Sequence, residues 1–264
     1  MSLLIDCSCR VLHLTLNRCD KRNALNSEMC SGIVESIASA QDTHDVGSIL
    51  ISAAGPVFCA GMDLDEAVHS AGADLSDIHE KLFTIGANSL KPIVICVNGP
   101  ALGGGLGLVA QGHCVVAAQG AAFGLTEMRL GLWPFLIYRA VELALGSRRT
   151  LELSLTGRLF QAQDALNWGL AHHVCAPTET FHRAAALARD LAKASPLAIR
   201  AGMQYIRDAR EKSWNEAGAL ATALRIALME GADFKEGYAA FKQKREPRWP
   251  SMPHEYYAHR SPEK

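Results

Sequence analysis

Three consecutive glycines, Gly103-Gly104-Gly105, follow an apolar run, IVICV, that reads as a buried strand. Glycine is costly inside a helix, so such a run needs a reason. One reason is an exposed N–H at a helix start, where the helix dipole helps it hold negative charge. A plain strand-to-helix turn would use the same residues, and this motif alone does not separate the two. A second small-residue loop, Cys59-Ala60-Gly61-Met62-Asp63-Leu64, follows another apolar run, SILIS. Alone it has low specificity. Together the two loops can each offer one backbone N–H to a single oxygen, which is how a thioester enolate is stabilised. Glu127 lies in a loop further along the chain. A lone glutamate in a loop is usually solvated. Here Phe123, Leu125, Met128 and Leu130 surround it in sequence, which would desolvate the carboxyl and raise its pKa toward values useful for proton transfer.

Two competing chemistries fit less well. Gly105-Leu-Gly107-Leu-Val-Ala110 matches a dinucleotide fingerprint, and Glu127 lies twenty residues past Gly107. In that fold, however, the acidic residue ends the next strand. The next strand here is VVAA, and Glu127 stands well beyond it. A metal site finds little support. Cys7 and Cys9 read as two apart on one strand, pointing the same way, but no second pair stands at ligand spacing, and His172-His173 is adjacent. The eight cysteines read as reduced thiols in a reducing compartment, with a cytoplasmic location expected.

The elements that must position these loops follow from pattern. LLIDC and VLHLTL alternate like strands. A helix starts at Ser27 with Met29, Ile33, Ile37 and Ala40 on one face. SILIS, IVICV and VVAA are short buried strands. A helix is expected over about 76–89, and AAGPVFCAGMDL and FGLTEMRLGLWP read as loops. LFQAQDALNWGL reads as a small helix after a turn, and LAHHV as a last strand. Residues 179–241 alternate Ala- and Leu-rich helices, broken at Pro196 and near Ser213 and Gly231. Strands alternating with helices imply parallel sheet. The expected division is 1–195 for an α/β core and 196–264 for a helical region.

Composition is that of an ordinary globular protein: 264 residues, 49% apolar, 20% charged, net charge -1. A chain this long can bury roughly three quarters of its surface without staples. The neutral balance offers no field for nucleic acid or an acidic membrane. No run approaches the roughly 18 apolar residues of a membrane span. Ser2 to Arg10 does not read as a leader, and the terminal SPEK is not an organelle address.

FCAGMDL, then KPIVICVNGPALGGGLGL, then AAFGLTEMRLGL, in this order and spacing, closely resemble the crotonase (enoyl-CoA hydratase/isomerase) superfamily. The resemblance runs from about Leu12 to the tail. NRCDKRNAL is similar to the mouth of that family's CoA site, and LTGRLFQAQDALNWGLAHHV to a later signature. The resemblance implies an α/β fold, a spiral of strand-strand-helix repeats with a C-terminal helical trimerisation region. It implies an acyl-CoA thioester as substrate, self-association as trimer or hexamer, and no cofactor beyond the CoA that the substrate carries. Met62 and Gly104 stand where the family supplies the two oxyanion N–H groups, with Gly103 beside them. Glu127 stands at a catalytic glutamate. Lys21, Arg22 and Ala24 match the segment beside the CoA ribose-pyrophosphate arm. Ala60, Asp63 and Leu64 match the loop around adenine and pantetheine. Phe241 and Lys244 match a tail element that reaches a neighbouring subunit's CoA.

The departures carry as much as the matches. Hydratases of this family have a second glutamate on the glycine-rich helix, where this chain has Gly107. Leu132-Trp133-Pro134-Phe135-Leu136 follows the second loop, and no acid lies between Glu127 and Glu142. His113, where relatives often have Asp, reads as a structural histidine. With one base, moving a double bond from the 3-enoyl to the 2-enoyl position is the simplest chemistry. Hydration of a 2-enoyl-CoA is the second reading, and a non-catalytic acyl-CoA-binding or assembly protein the third.

Overall fold

The computed structural model describes residues 1–69 and 72–258. The terminal SPEK lies outside the described residues. Strands β1 (Leu3–Ser8) and β2 (Val11–Leu16) form an antiparallel hairpin, Leu3 opposite Leu16. Its turn is Cys9-Arg10, at φ 50° and 62°. Cys9 therefore leaves the strand, and the shared direction expected for Cys7 and Cys9 does not hold. Helix α1 (Ser27–Ala40) starts where the Asn26 side chain accepts the Met29 N–H, and it buries Met29, Cys30, Ile33, Ile37 and Ala40. Such a cap contributes about 1 kcal/mol.

The chain continues through β3 (Ser48–Ala53), α2 (Leu64–His69), α3 (Gly72–Leu82), α4 (Ile85–Asn88), β4 (Ile93–Val97) and β5 (Ala101–Leu102). Next come α5 (Gly104–Val109), β6 (Cys114–Ala118), β7 (Ala122–Gly124) and a 3-10 helix over Glu127–Leu130. Two of these differ from expectation. The helix expected over 76–89 begins at Gly72 and breaks before Ile85, where the Thr84 hydroxyl turns back to the Glu80 and Lys81 carbonyls. The loop after Met62 becomes α2, because Asp63 Oδ1 accepts the N–H groups of Asp65 and Glu66.

Beyond lie α6 (Phe135–Leu145), α7 (Ser147–Thr156), β8 (Phe160–Gln161), α8 (Ala162–Asn167), β9 (His173–Cys175) and α9 (Pro177–Ala192). The helical end is α10 (Pro196–Asp208), α11 (Trp214–Glu230), α12 (Ala232–Gln243) and α13 (His254–Ala258).

Six strands form one sheet in the order β1-β2-β3-β4-β6-β9, parallel from β2 onward. A second sheet, β5-β7-β8, stands apart from it. The central strands β3 and β4 of the large sheet are buried on both faces, so they are continuous apolar runs. One face carries Ile49, Ile51, Ile93 and Ile95 into the main core with α1, α5 and α6. The other carries Leu50, Val94, Cys96 and Val116 against Ala184, Ala185, Ala188 and Ala192 of α9. Alanines there let α9 lie close: a Cβ on Gly47 would sit 2.9 Å from Ala192 Cα. Burial pushes the thiols of Cys30, Cys59 and Cys96 up to about 12, so they pack as small hydrophobes rather than react.

The helical end is looser. α10 and α11 bury no residue fully. The tail is latched to its own chain. Asp233, 5% exposed, accepts from Ser251 N, and the Trp249 indole donates to Lys193 O. Tyr257 hydroxyl accepts the Trp249 N–H, and Arg10 lies over the Tyr256 ring at 5.6 Å. No helix among the described residues is long and apolar enough to cross a membrane.

Candidate active site

Three backbone segments are knitted together around one point. Ala60 N donates to Arg22 O at 3.0 Å, Leu25 N to Gly61 O at 2.8 Å, and Asp63 N to Leu25 O at 3.0 Å. On the other side Cys59 N donates to Pro100 O and Leu102 N to Cys59 O. Gly61 N points at the Cys59 sulfur at 3.4 Å. Every N–H from Cys59 to Asp63 is thereby committed except that of Met62. The Gly103 N–H goes to Gly124 O. Gly104 opens α5, so its N–H has no acceptor within the helix. Among the described residues neither the Met62 nor the Gly104 N–H finds a protein acceptor.

The two free amides lie close together. A Cβ on Gly61 would lie 3.4 Å from Gly104 N, and a Cβ on Gly104 would lie 3.6 Å from Met62 N. The three glycines have three separate reasons. Gly103 takes φ +52°, and Glu127 Oε1 would stand 3.0 Å from a Cβ there. Gly104 leaves room between Leu25, Phe83 and the Met62 amide. Gly105 admits the other loop, since a Cβ would strike Cys59 O at 2.4 Å. A side chain at 103 would push the carboxyl away, and one at 105 would part the two loops.

Glu127 begins its 3-10 helix right after β7, which pairs with β5 and so holds the glutamate beside Gly103. Its Oε2 is buried without a hydrogen-bond partner. Burial raises its pKa above the ordinary 4.5, and its own backbone N–H opposes that only in part. Arg129, the next cation along the chain, donates instead to Gly157 O at 2.7 Å. The acidity of Glu127 is thus set by desolvation and not by a charge partner.

Gly107, one turn into α5, faces an apolar wall. A Cβ there would lie 2.3 Å from Ile137 Cγ2, 2.8 Å from Ile137 Cβ and 3.2 Å from Phe83 Cε1. Ile137 comes from α6 and is 3% exposed. The position of a second carboxylate is therefore filled by a packed isoleucine, for which the sequence carried no local signal.

The other expected residues are placed as follows. Lys21 is exposed and pairs with exposed Asp65 at 2.8 Å. Arg22 is exposed at φ 52°, and its carbonyl holds Ala60. Ala24 lies between them and Leu25, its carbonyl taken by Arg18 Nη1. Leu64 is 45% exposed at the start of α2. Asp63 faces inward: Arg18 Nη2 donates to its Oδ2 at 2.8 Å. Burial would raise the Asp63 pKa, but the Arg18 guanidinium and the α2 amides outweigh it and hold the carboxyl below its usual range. Its carboxylate ties the Arg18 loop to the start of α2. Phe241 is 79% exposed, and Lys244 caps α12 in a left-handed conformation. That helix packs on α11 and under Trp249, neither of which carries Glu127 or the free amides. His113 Nδ1 accepts Ile93 N–H and its Nε2 meets Gly86 O, so it is the structural histidine expected. Among the described residues no three His, Cys, Asp or Glu side chains gather as metal ligands.

Two backbone amides without a protein acceptor thus lie close together, with a buried, desolvated carboxyl beside Gly103. A family model described as enoyl-CoA hydratase/isomerase matches residues 7–252. The chain belongs to the enoyl-CoA hydratase/isomerase family, the crotonase superfamily, and is an acyl-CoA-processing enzyme of it. It is 34% identical over 251 residues to the 2,3-dehydroadipyl-CoA hydratase of Escherichia coli, covering 93% of this chain and 97% of that protein. It is 32% identical over 244 residues to the enoyl-CoA hydratase EchA19 of Mycobacterium tuberculosis, covering 89% and 91%. The crystal structure of an enoyl-CoA hydratase from Mycobacterium smegmatis matches with a TM-score of 0.89 at 27% identity, over 94% of this chain and 99% of that one. The resemblance read from the sequence and the crotonase fold class both hold.

Proposed function

We propose that this chain shifts the double bond of a 3-enoyl-CoA to the 2-enoyl position, with Glu127 as the only acid–base group. The observation that carries this reading is Ile137 packed where a side chain at Gly107 would have to stand. A two-carboxylate site holds a water between its acids. Here one carboxyl is buried without a hydrogen-bond partner and Gly107 faces an apolar wall, an environment that favours proton transfer over water addition.

The thioester oxygen accepts the Met62 and Gly104 N–H groups. Glu127 removes a proton from the carbon next to the carbonyl, giving a dienolate whose charge rests on that oxygen. The same carboxyl, now protonated, returns the proton to the far carbon of the conjugated system. The double bond has moved, the base is restored, and no water is consumed. Each amide is worth about 3–4 kcal/mol in such a transition state. Lys21 and Arg22, exposed beside the loop that carries Met62, suit the charged arm of CoA, with Ala24, Ala60 and Leu64 along its path. Phe241 and Lys244 suit the CoA of a neighbouring subunit in a trimer or hexamer. Eight unpaired cysteines support a reducing compartment such as the cytoplasm.

Hydration of a 2-enoyl-CoA is the second reading. The hydratase names of the relatives favour it. A non-catalytic acyl-CoA-binding protein is the third, and the desolvated Glu127 argues against it. Turnover of 3-hexenoyl-CoA and crotonyl-CoA by the purified protein separates them. Isomerisation of the first with slow hydration of the second is the expected result. Fast hydration of crotonyl-CoA supports the second reading, and no turnover of either supports the third.

A further inference from the structure

His79 is 5% exposed, and its Nε2 is buried with no hydrogen-bond partner among the described residues. A buried polar nitrogen left unpaired is costly, so its retention points to a partner that arrives with a ligand. The ring stands on α3 one turn before Phe83, with ring centroids 5.8 Å apart. Residues four apart share one face of a helix. On that face Phe83 reaches the active centre: its Cζ lies 3.2 Å from the Cβ position of Gly104, and its Cε1 3.2 Å from that of Gly107. His79 therefore stands one ring beyond the oxyanion glycines, on the wall that begins with Phe83.

We propose that His79 reads a hydroxyl or keto oxygen on the far part of the acyl chain. This rests on the acyl-CoA reading above and names the substrate class more narrowly. A neutral imidazole can donate to or accept from such an oxygen, according to its tautomer. A terminal carboxylate suits the place poorly. Glu66 acts on His79 as the nearby charge, and its Oε2 already accepts the Ser27 N–H. A second negative charge buried beside Glu66 would be repelled. An all-hydrocarbon chain would leave Nε2 as it stands, unpaired. A site built to bond a polar group discriminates against the analogue lacking it far more than a greasy pocket discriminates by size.

The test is binding of unreactive, saturated thioesters by calorimetry: hexanoyl-CoA and octanoyl-CoA against the same chains with a terminal hydroxyl. Wild-type protein is expected to bind at least one hydroxylated chain about tenfold to a hundredfold more tightly than its plain partner. His79→Phe should abolish or invert that preference, and His79→Gln should restore part of it. The melting temperature of His79→Phe should not fall, since an unpaired polar atom leaves the interior. The proposal is overturned if wild type prefers the plain chains. It is overturned equally if His79→Phe leaves the preference intact, or if it melts lower without changing the preference, which would mark a structural histidine. Because the probes do not react, this result is separate from the isomerase reading. Proton exchange on a reactive thioester can fail while the hydroxyl preference stands, and the reverse.

Discussion

Placing a glutamate at position 107 should fail as a single change and succeed only in a pair. In Gly107→Glu the new Cβ would lie 2.3 Å from Ile137 Cγ2 and 2.8 Å from Ile137 Cβ, well inside contact distance. The clash is with a side chain 3% exposed and rooted in α6, so α5 and α6 must part. Overpacking of this kind costs about 1–3 kcal/mol. Burying a carboxylate against Phe83 and Ile137 adds roughly another 1–3 kcal/mol if it stays unpaired. A loss of about 2–6 kcal/mol is a large part of the roughly 5–15 kcal/mol that keeps an ordinary protein folded. Ile137→Ala alone leaves a cavity and costs about 2–5 kcal/mol. The double variant should be more stable than the sum of the two losses, because each change relieves the other, with a coupling of about 1–3 kcal/mol. Denaturant melts of the four proteins give this coupling. Crotonyl-CoA hydration, measured alongside, should be weak in wild type and grow only in the double variant, where two carboxyls share a water and one pKa rises. A Gly107→Glu protein that is as stable as wild type would refute the steric reasoning.

Further outcomes follow from the same geometry. Because burial lifts Glu127 above its ordinary 4.5, kcat/KM should rise with pH through one ionisation above that value. The basic form is the working one and no second carboxyl is needed in its acid form, so the profile should not fall again as pH rises past this ionisation. Folding stability should move the other way. A buried carboxyl with a raised pKa favours the folded state while protonated, so its contribution is lost as pH rises from the unfolded value through the folded one. Gly104→Val puts a Cβ 3.2 Å from Leu25 Cδ1 and Phe83 Cζ and methyls toward the Met62 amide, so turnover should drop about 10²–10³-fold. Normal turnover in that variant would place the oxyanion elsewhere. Phe234, Tyr238 and Phe241 recur along one side of α12 at 49%, 59% and 79% exposure, a stripe suited to a second copy. Sedimentation at micromolar concentration should therefore show an oligomer, and a monomer would count against it.

The parts of the site that were legible in the sequence are those set by local chemistry. Two buried strands, each followed by small residues, foretell close backbone approach, and both loops meet as expected. The apolar neighbours of Glu127 foretell its desolvation. Some signals were present but unread. Asp63 followed by Asp65 and Glu66 has the residues of a helix start, yet the stretch reads as loop until the two α2 amides are seen on Asp63. What could not be read came from packing between distant segments. Ile137 meets Gly107 across thirty residues because α6 folds back on α5. Arg18 reaches Asp63 across forty-five, tying two loops together. The packing of the aromatic tail is of the same kind: Trp249 N–H donates to the Tyr257 hydroxyl, Lys193 O takes the indole N–H, and Tyr256 stacks under Arg10, so the tail packs on its own chain. The oligomer expected above would use the exposed stripe on α12.

The central claim is that Glu127 alone moves the proton. It is tested most directly by exchange of the proton next to the thioester carbonyl in heavy water, followed by mass spectrometry on 3-hexenoyl-CoA with wild type and Glu127→Gln. The amide keeps size and hydrogen bonding and removes the base. Wild type should exchange the proton and form the 2-enoyl product, while the variant should lose about 10²–10⁴-fold in both with its fold and acyl-CoA binding intact. Full exchange in Glu127→Gln would contradict the claim, since the proton would then travel through another residue.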